Sequence, residues 1–412
     1  MKIRTILTLL HLQLFTFAVS QQSYNITFQH DGKIVFGTIS IPDGSGPFPV
    51  IIINPGTGPN DRDGTLPLFG GNVPCLYPEL EGETLKPYKE LSNALVDSGF
   101  AVLRYDKLEF TYSPSTLGTI TFHKLWLPVE SAINYVKTRA DIDTNRIILL
   151  GHSEGSSLIP FIAKNRSDIK ALISLAGPRT PFDSILAYQQ VHFTEICNGD
   201  TVEAQTIADQ VLDYGDVARN GFCNGLPLLL GVSGCVWRDY FKATDSVAIN
   251  YNLNNLPTLF LSLGLDINVP PSELLRFQEE VTITDDFWSI PGLIHFMTPN
   301  NDPHVSEVLT DTIIYWLREH NLISGTSENR LDDEFVDVYP NPFSDAISIS
   351  LPEEILSTTI AIYDVAGQLV FRKENMEVQA CSSINLNQLA NGAYFLEITT
   401  DQFKISKKIL KK

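Results

Sequence analysis

Basic charge is scarce in this sequence: 29 Lys and Arg stand against 48 Asp and Glu, a formal net charge of −19. No Lys/Arg-rich run concentrates what there is, so the chain has no surface for neutralising a phosphate backbone, and nucleic-acid binding is not expected. Cysteines number five in 412 residues and never fall in the CxxC spacing of a zinc site. The histidines lack ligand partners at useful spacing, and no phosphate-cradling glycine loop follows a strand-like run. No metal and no organic cofactor is therefore expected. No run beyond the N-terminus has the ~20 apolar residues of a membrane-spanning helix, so no transmembrane span is expected.

The N-terminus is the exception. Lys2 and Arg4 precede a mostly apolar stretch, residues 6–19, interrupted by His11 and Gln13 and ending in Ala18-Val19-Ser20. A basic start, a short apolar centre and small terminal residues mark a cleaved export signal over residues 1–20, leaving a mature chain from Gln21. In an exported protein Cys75, Cys197, Cys223, Cys235 and Cys381 can pair. The odd count leaves at least one thiol free, and the spacing does not fix the pairing.

With 43% hydrophobic and 19% charged residues the composition is globular, and the length suits more than one domain. Residues 24–30 and 33–41 alternate like two strands about Asp31-Gly32, a hairpin signal. From Phe48 onward, buried-strand runs at 49–54, 101–105, 146–150, 171–176, 258–263 and 287–290 alternate with helical stretches at 88–98, 122–139, 155–164 and 305–320. That alternation predicts an α/β fold: a mostly parallel sheet with helices on both faces. The rhythm lapses between 176 and 258, which reads as a cap insertion at about 180–252, with helical patches at 203–217 and three of the cysteines. A polar, acidic linker follows at 323–336. Residues 337–412 carry strand-like runs at 346–351, 359–364, 368–372, 393–399 and 403–410, with turns at Ala366-Gly367 and Asn391-Gly392, which predicts a small all-β sandwich.

The chemistry centres on Gly151-His152-Ser153-Glu154-Gly155. A strand-like run enters the motif and a helical run leaves it, the strand-turn-helix context that makes Gly-x-Ser-x-Gly a nucleophile elbow. A serine hydroxyl is nearly inert at neutral pH and needs a base, itself oriented by an acid. Elbows of this kind are followed in the chain by the acid and then the histidine. Asp266, just past the strand at 258–263, and His295, past the strand at 287–290, stand in that order at strand ends. His304 competes as base, and Asp285 or Asp286 as acid. His152 reads as packing rather than base. The tetrahedral intermediate needs two preorganised donors, for which the candidates are the amides of Glu154 and of Thr57, in the turn-rich loop after the first parallel strand. Asp61, Arg62 and Asp63 in that loop read as braces ahead of substrate contacts.

These residues resemble the α/β-hydrolase superfamily. Within it, Gly56 to Gly64 is similar to the Gly-[Ser/Thr]-Gly-Pro-x-Asp-Arg-Asp-Gly oxyanion loop of bacterial serine esterases, and Ala101-Val102-Leu103-Arg104-Tyr105-Asp106-Lys107 to a phrase that the group continues with Arg-Gly. Here the sequence departs at Leu108-Glu109-Phe110, near the mouth of the site. The Trp237-Arg238-Asp239-Tyr240-Phe241 stretch also resembles that group. Val338-Tyr339-Pro340-Asn341-Pro342-Phe343, Ile362-Tyr363-Asp364-Val365-Ala366-Gly367 and Leu389-Ala390-Asn391-Gly392-Ala393-Tyr394-Phe395 resemble the C-terminal sorting domain of the Bacteroidetes type IX secretion system. That resemblance implies export across the outer membrane, through the type IX machinery as partner, to a secreted or surface location.

The expectation is a secreted serine hydrolase over residues 21–322, a carboxylesterase acting on a small acyl ester through an acyl-enzyme. Ser153 is its nucleophile, His295 its base and Asp266 the orienting acid. A peptidase or amidase of the same fold is the alternative within enzymes. A catalytically silent surface binding protein is the alternative outside them.

Overall fold

The computed structural model describes residues 21–164, 166–284, 286–322, 337–350, 355–364, 368–378, 382–399 and 404–412. The expected leader and linker, Asp285, the Ala366-Gly367 turn and Cys381 lie outside the described residues.

Short runs rich in Val, Ile and Leu build one sheet from β1 (Gln22–His30), β2 (Lys33–Ile41), β3 (Phe48–Asn54), β4 (Ala101–Tyr105), β5 (Ile142–His152), β6 (Ile169–Leu175), β7 (Thr258–Leu263) and β8 (Phe287–Ile290). The hairpin between β1 and β2 turns on Asp31 and Gly32, both at positive φ, as a two-residue turn matching strand twist requires. The spatial order is β1-β2-β4-β3-β5-β6-β7-β8. β1, β2 and β4 pair antiparallel, and from β4 onward every neighbour is parallel.

Helices cover both faces. Val50 and Ile52 of β3, with Ile147 and Leu149 of β5, point into one core beside Ile133 of α3 (Pro128–Val136). Ile51, Ile53, Ile148 and Leu150 point the other way, against Leu91 of α1 (Pro87–Asp97) and Trp316 of α10 (Glu307–Glu319). Burying such a side chain is worth roughly 1.5–3 kcal/mol, so the period-two alternation fixes which residues face which layer. The helix expected over 122–139 is two, α2 (Phe122–Trp126) and α3. Pro128 has no amide to continue the first and sits well at the start of the second.

The insertion between β6 and β7 is more regular than the sequence suggests. It holds α5 (Phe182–Ile196), α6 (Thr201–Arg219), α7 (Gly234–Thr244) and α8 (Val247–Asn254), after α4 (Glu154–Ala163) and before α9 (Ser272–Glu280). The Arg219 guanidinium joins three of these helices, meeting Asp183 at 2.6 and 2.7 Å and Asp245 at 2.7 and 3.0 Å. Its face lies 4.6 Å from the Phe241 ring centre. Cys223 pairs with Cys235 across the α6–α7 connection, and Cys75 pairs with Cys197, 122 residues away.

The C-terminal strands form two antiparallel sheets. One is β9 (Asp337–Tyr339), β10 (Ala346–Ser350) and β13 (Ser382–Asn385); the other runs in the order β12 (Leu369–Val378), β11 (Ile355–Asp364), β14 (Gly392–Thr399) and β15 (Lys404–Lys411). Phe343, Ile347, Ile360, Ile362, Leu396 and Ile409 fill the core between them.

Candidate active site

β5 ends at His152 and α4 begins at Glu154, so Ser153 is the whole turn. Its φ of 53° and ψ of −122° are costly for a residue with a Cβ, of order 1–3 kcal/mol. The surrounding backbone holds it there. Ser153 N donates to Leu175 O at 2.9 Å, and Ser156 Oγ donates to Ser153 O at 2.7 Å. The flanking glycines are required sterically: a Cβ at Gly151 would lie 2.4 Å from Gly155 O, and one at Gly155 would lie 2.2 Å from Asn54 O. The α4 N-terminus, the positive end of its helix dipole, therefore opens at Ser153.

Past the end of β7, Asp266 is buried with one carboxylate oxygen held by the amides of Asn268 and Val269, both at 2.8 Å. Its other oxygen lies 2.7 Å from Nδ1 of buried His295. With the carboxylate oxygen as acceptor, Nδ1 is the donor of this bond and Nε2 is the ring nitrogen left to accept a proton. His304 is elsewhere, exposed and 3.3 Å from Glu90. Asp286 accepts from Trp316 Nε1 at 2.8 Å.

His152 connects the two halves. Its ring centre is 4.7 Å from that of His295, and its Nε2 lies 2.9 Å from the His295 carbonyl oxygen. A carbonyl only accepts, so Nε2 donates and Nδ1 must accept. Nδ1 takes the proton of Tyr88 Oη at 2.9 Å, and Tyr88 Oη in turn accepts from Gly56 N at 3.0 Å. Burial, aided by neighbouring His295, pushes the His152 imidazole down to about 3, so it stays neutral in this one tautomer. Burial pushes the Tyr88 phenol up to about 12, which keeps its proton in place.

The loop after β3 sits against the elbow: a Cβ on Gly56 would lie 3.2 Å from Ser153 Cβ. Asn60 Nδ2 donates to the carbonyls of Gly56 and Thr57 at 3.0 Å each and of Gly58 at 3.2 Å. Asp61 accepts from the Asp63 and Thr65 amides, Arg62 grips Asp106 with two nitrogens at 2.9 and 2.7 Å, and Arg104 pairs with Asp63. All three charged residues of the loop thus brace it. Thr57 is exposed, and among the described residues its amide has no hydrogen-bond acceptor.

Two residues of this assembly escape a reading by motif, Tyr88 and Lys107. Tyr88 is one apolar-face residue of α1, with nothing in its local pattern to mark a polar role. Lys107 stands in a phrase similar to that of esterases, yet only the fold shows what its ammonium meets. Among the described residues no three His, Cys, Asp or Glu side chains converge as a metal site would.

Residues 337–412 match the secretion system C-terminal sorting domain family, and residues 129–224, which include the elbow, match the C-terminal domain of BAAT/acyl-CoA thioester hydrolases. The esterase EstD of Thermotoga maritima is 31% identical over 193 residues, 46% of this chain and 42% of that protein. The chain thus joins an α/β-hydrolase fold to a C-terminal sorting domain. An endo-acting ulvan lyase of Formosa agariphila is 32% identical over 113 residues, 27% of this chain and 22% of the lyase. The chain thus spans less than half the length of the curated relatives it matches. The structure of Est1E from Butyrivibrio proteoclasticus superposes with a TM-score of 0.45 at 18% identity, covering 72% of this chain and 98% of that one. The sorting domain marks the chain for export to the cell surface or the extracellular space. No described helix is long and apolar enough to cross a membrane.

Proposed function

We propose that this protein is an exported serine esterase that cleaves small carboxylic esters through an acyl-enzyme. The reading rests chiefly on one observation: a buried Asp266–His295 pair, 2.7 Å apart, whose carbonyl is held by the residue preceding the strained Ser153. Nothing in an ordinary core demands a serine at positive φ beside an imidazole in a fixed tautomer.

In the reaction, Ser153 Oγ attacks the ester carbonyl and His295 Nε2 takes its proton, while Asp266 steadies the imidazolium. The oxyanion meets the amides of Glu154, at the positive end of α4, and of Thr57. The Gly56 amide is already given to Tyr88, which leaves Thr57 as the donor that the loop can spare. His295 returns its proton to the leaving alcohol, and water then repeats the sequence on the acyl-enzyme. In this reading residues 1–20 are a cleaved leader and 21–322 the catalytic domain, with its cap at about 180–252. Residues 323–336 are a linker, and 337–412 engage the type IX secretion machinery. The similarity to esterase EstD supports ester over amide substrates.

The full chain should hydrolyse short p-nitrophenyl esters and react with a fluorophosphonate at one residue, and Ser153→Ala should lose both activities. Undiminished labelling of Ser153→Ala would remove Ser153 as the nucleophile.

A further inference from the structure

Lys107 is buried at the end of β4, beneath the proposed oxyanion site, and takes no part in the steps above. Its Nζ has three acceptors: Gly56 O at 3.0 Å, Glu154 Oε2 at 3.1 Å and Glu109 Oε1 at 3.0 Å. An ammonium has three protons, so each acceptor receives one. Burial alone would push this amine down, yet Glu109 and Glu154 hold it above its ordinary value, so it stays charged.

Two of those acceptors lie on the units that supply the oxyanion donors, the Gly56–Thr57 peptide and Glu154. The Gly56 carbonyl and the Thr57 amide are the two ends of one planar peptide. Fixing the carbonyl at one end therefore aims the N–H at the other. A cation on the carbonyl oxygen also draws charge from the amide and makes its N–H a stronger donor, an effect that a buried setting magnifies. The same ammonium holds the Glu154 side chain, whose second oxygen accepts from Trp126 Nε1 at 3.1 Å, and Glu154 is the other amide. One charge, beside Asn60 Nδ2 on the same Gly56 carbonyl, thus ties together the two loops that carry the donors.

We infer that Lys107 is a positioning residue for transition-state stabilisation, which orients and polarises the Gly56–Thr57 peptide while fixing it relative to Glu154. The inference rests on the serine-esterase reading. It differs from a purely structural ion pair in what it predicts: a brace sets stability, whereas a positioning cation sets kcat and the affinity for tetrahedral analogues.

The test uses the full chain, a p-nitrophenyl ester and a trifluoromethyl ketone that forms a tetrahedral adduct. Lys107→Met should lower kcat about 10- to 100-fold, somewhat less than the loss of an oxyanion donor itself. KM should change little, and ketone affinity should fall in parallel with kcat/KM. Glu109→Gln removes a charge partner but leaves the ammonium on Gly56 O, so it should keep kcat within about threefold. Lys107→Met strands a buried carboxylate and can fail to fold. In that case Lys107→Met/Glu154→Gln removes both charges and retains the Glu154 amide, and it should show the same loss. A folded Lys107 variant with wild-type kcat and ketone affinity would overturn this role and leave the esterase reading intact. A wild-type chain that neither turns over ester nor labels with fluorophosphonate would overturn that reading, and this role with it.

Discussion

The His152 Nε2 proton is donated to the carbonyl oxygen of His295, 2.9 Å away, so the residue before the nucleophile grips the loop that presents the base. Through Tyr88 the same imidazole reaches Gly56 on the oxyanion loop. Three loops from separate strand ends are thereby held in register by neutral hydrogen bonds, without a charge that would perturb the adjacent pair.

Because folded His152 holds its proton only near about 3 while an unfolded histidine does so at ~6.5, acid favours the unfolded chain. The sign follows from linkage: the contribution is fully present above about pH 6.5 and is lost as pH falls toward about 3, at roughly 1 kcal/mol per pH unit. Urea unfolding at several pH values between 4 and 7 should show this slope. In His152→Gln the acid slope should be shallower by about one proton, and equal slopes in the two proteins would contradict it.

Tyr88→Phe keeps the ring packing but orphans the Gly56 amide and the His152 acceptor. Leaving a buried donor unmet costs about 1–3 kcal/mol, so Tm should drop by several degrees. The initial rate of ester hydrolysis should drop as well, since both the oxyanion loop and the elbow lose a tether. A variant as active and stable as the wild type would remove Tyr88 from this relay.

For Asp266→Asn, the amide nitrogen facing His295 would favour the imidazole tautomer whose Nε2 carries the proton and cannot accept one. A fall in kcat of about 10³- to 10⁴-fold with little change in KM is expected. Steady-state kinetics on one ester measures it, and a loss under tenfold would mean that another group orients His295.

At Gly155 any side chain meets the Asn54 carbonyl. Gly155→Ala should destabilise the chain by more than about 2 kcal/mol and uncouple the elbow from β3. Soluble expression and thermal melts measure the loss, and a Gly155→Ala variant as stable as the wild type would mean that the Asn54 backbone can give way.

The bridge between Cys75 and Cys197 closes a loop of 122 residues that joins the segment after β3 to the end of α5. Constraining the unfolded chain over such a span stabilises by roughly 3–5 kcal/mol. Cys75→Ser/Cys197→Ser should therefore lower the urea midpoint, and equal midpoints in oxidised and substituted chains would argue against the bridge.

Much of this was present in one dimension. Short continuous apolar runs set the buried strands, since a sheet covered on both faces hides every residue, and Gly151 and Gly155 about Ser153 marked a turn where backbones approach too closely for side chains. The order Ser153, Asp266, His295 followed from strand ends. Helix packing in the cap was less legible. Arg219 of α6 pairs with Asp183 of α5 and with Asp245 just past α7, contacts between residues tens of positions apart that leave no local period. The cysteine pairs were undetermined for the same reason, because any pairing of the five satisfies composition and only proximity selects one. His152, Tyr88 and Lys107 show the division most clearly. Sequence supplies their side chains, but a hydrogen bond depends on distance and direction, and only the folded sheet brings a histidine from β5, a phenol from α1 and an ammonium from just past β4 to the loops they hold.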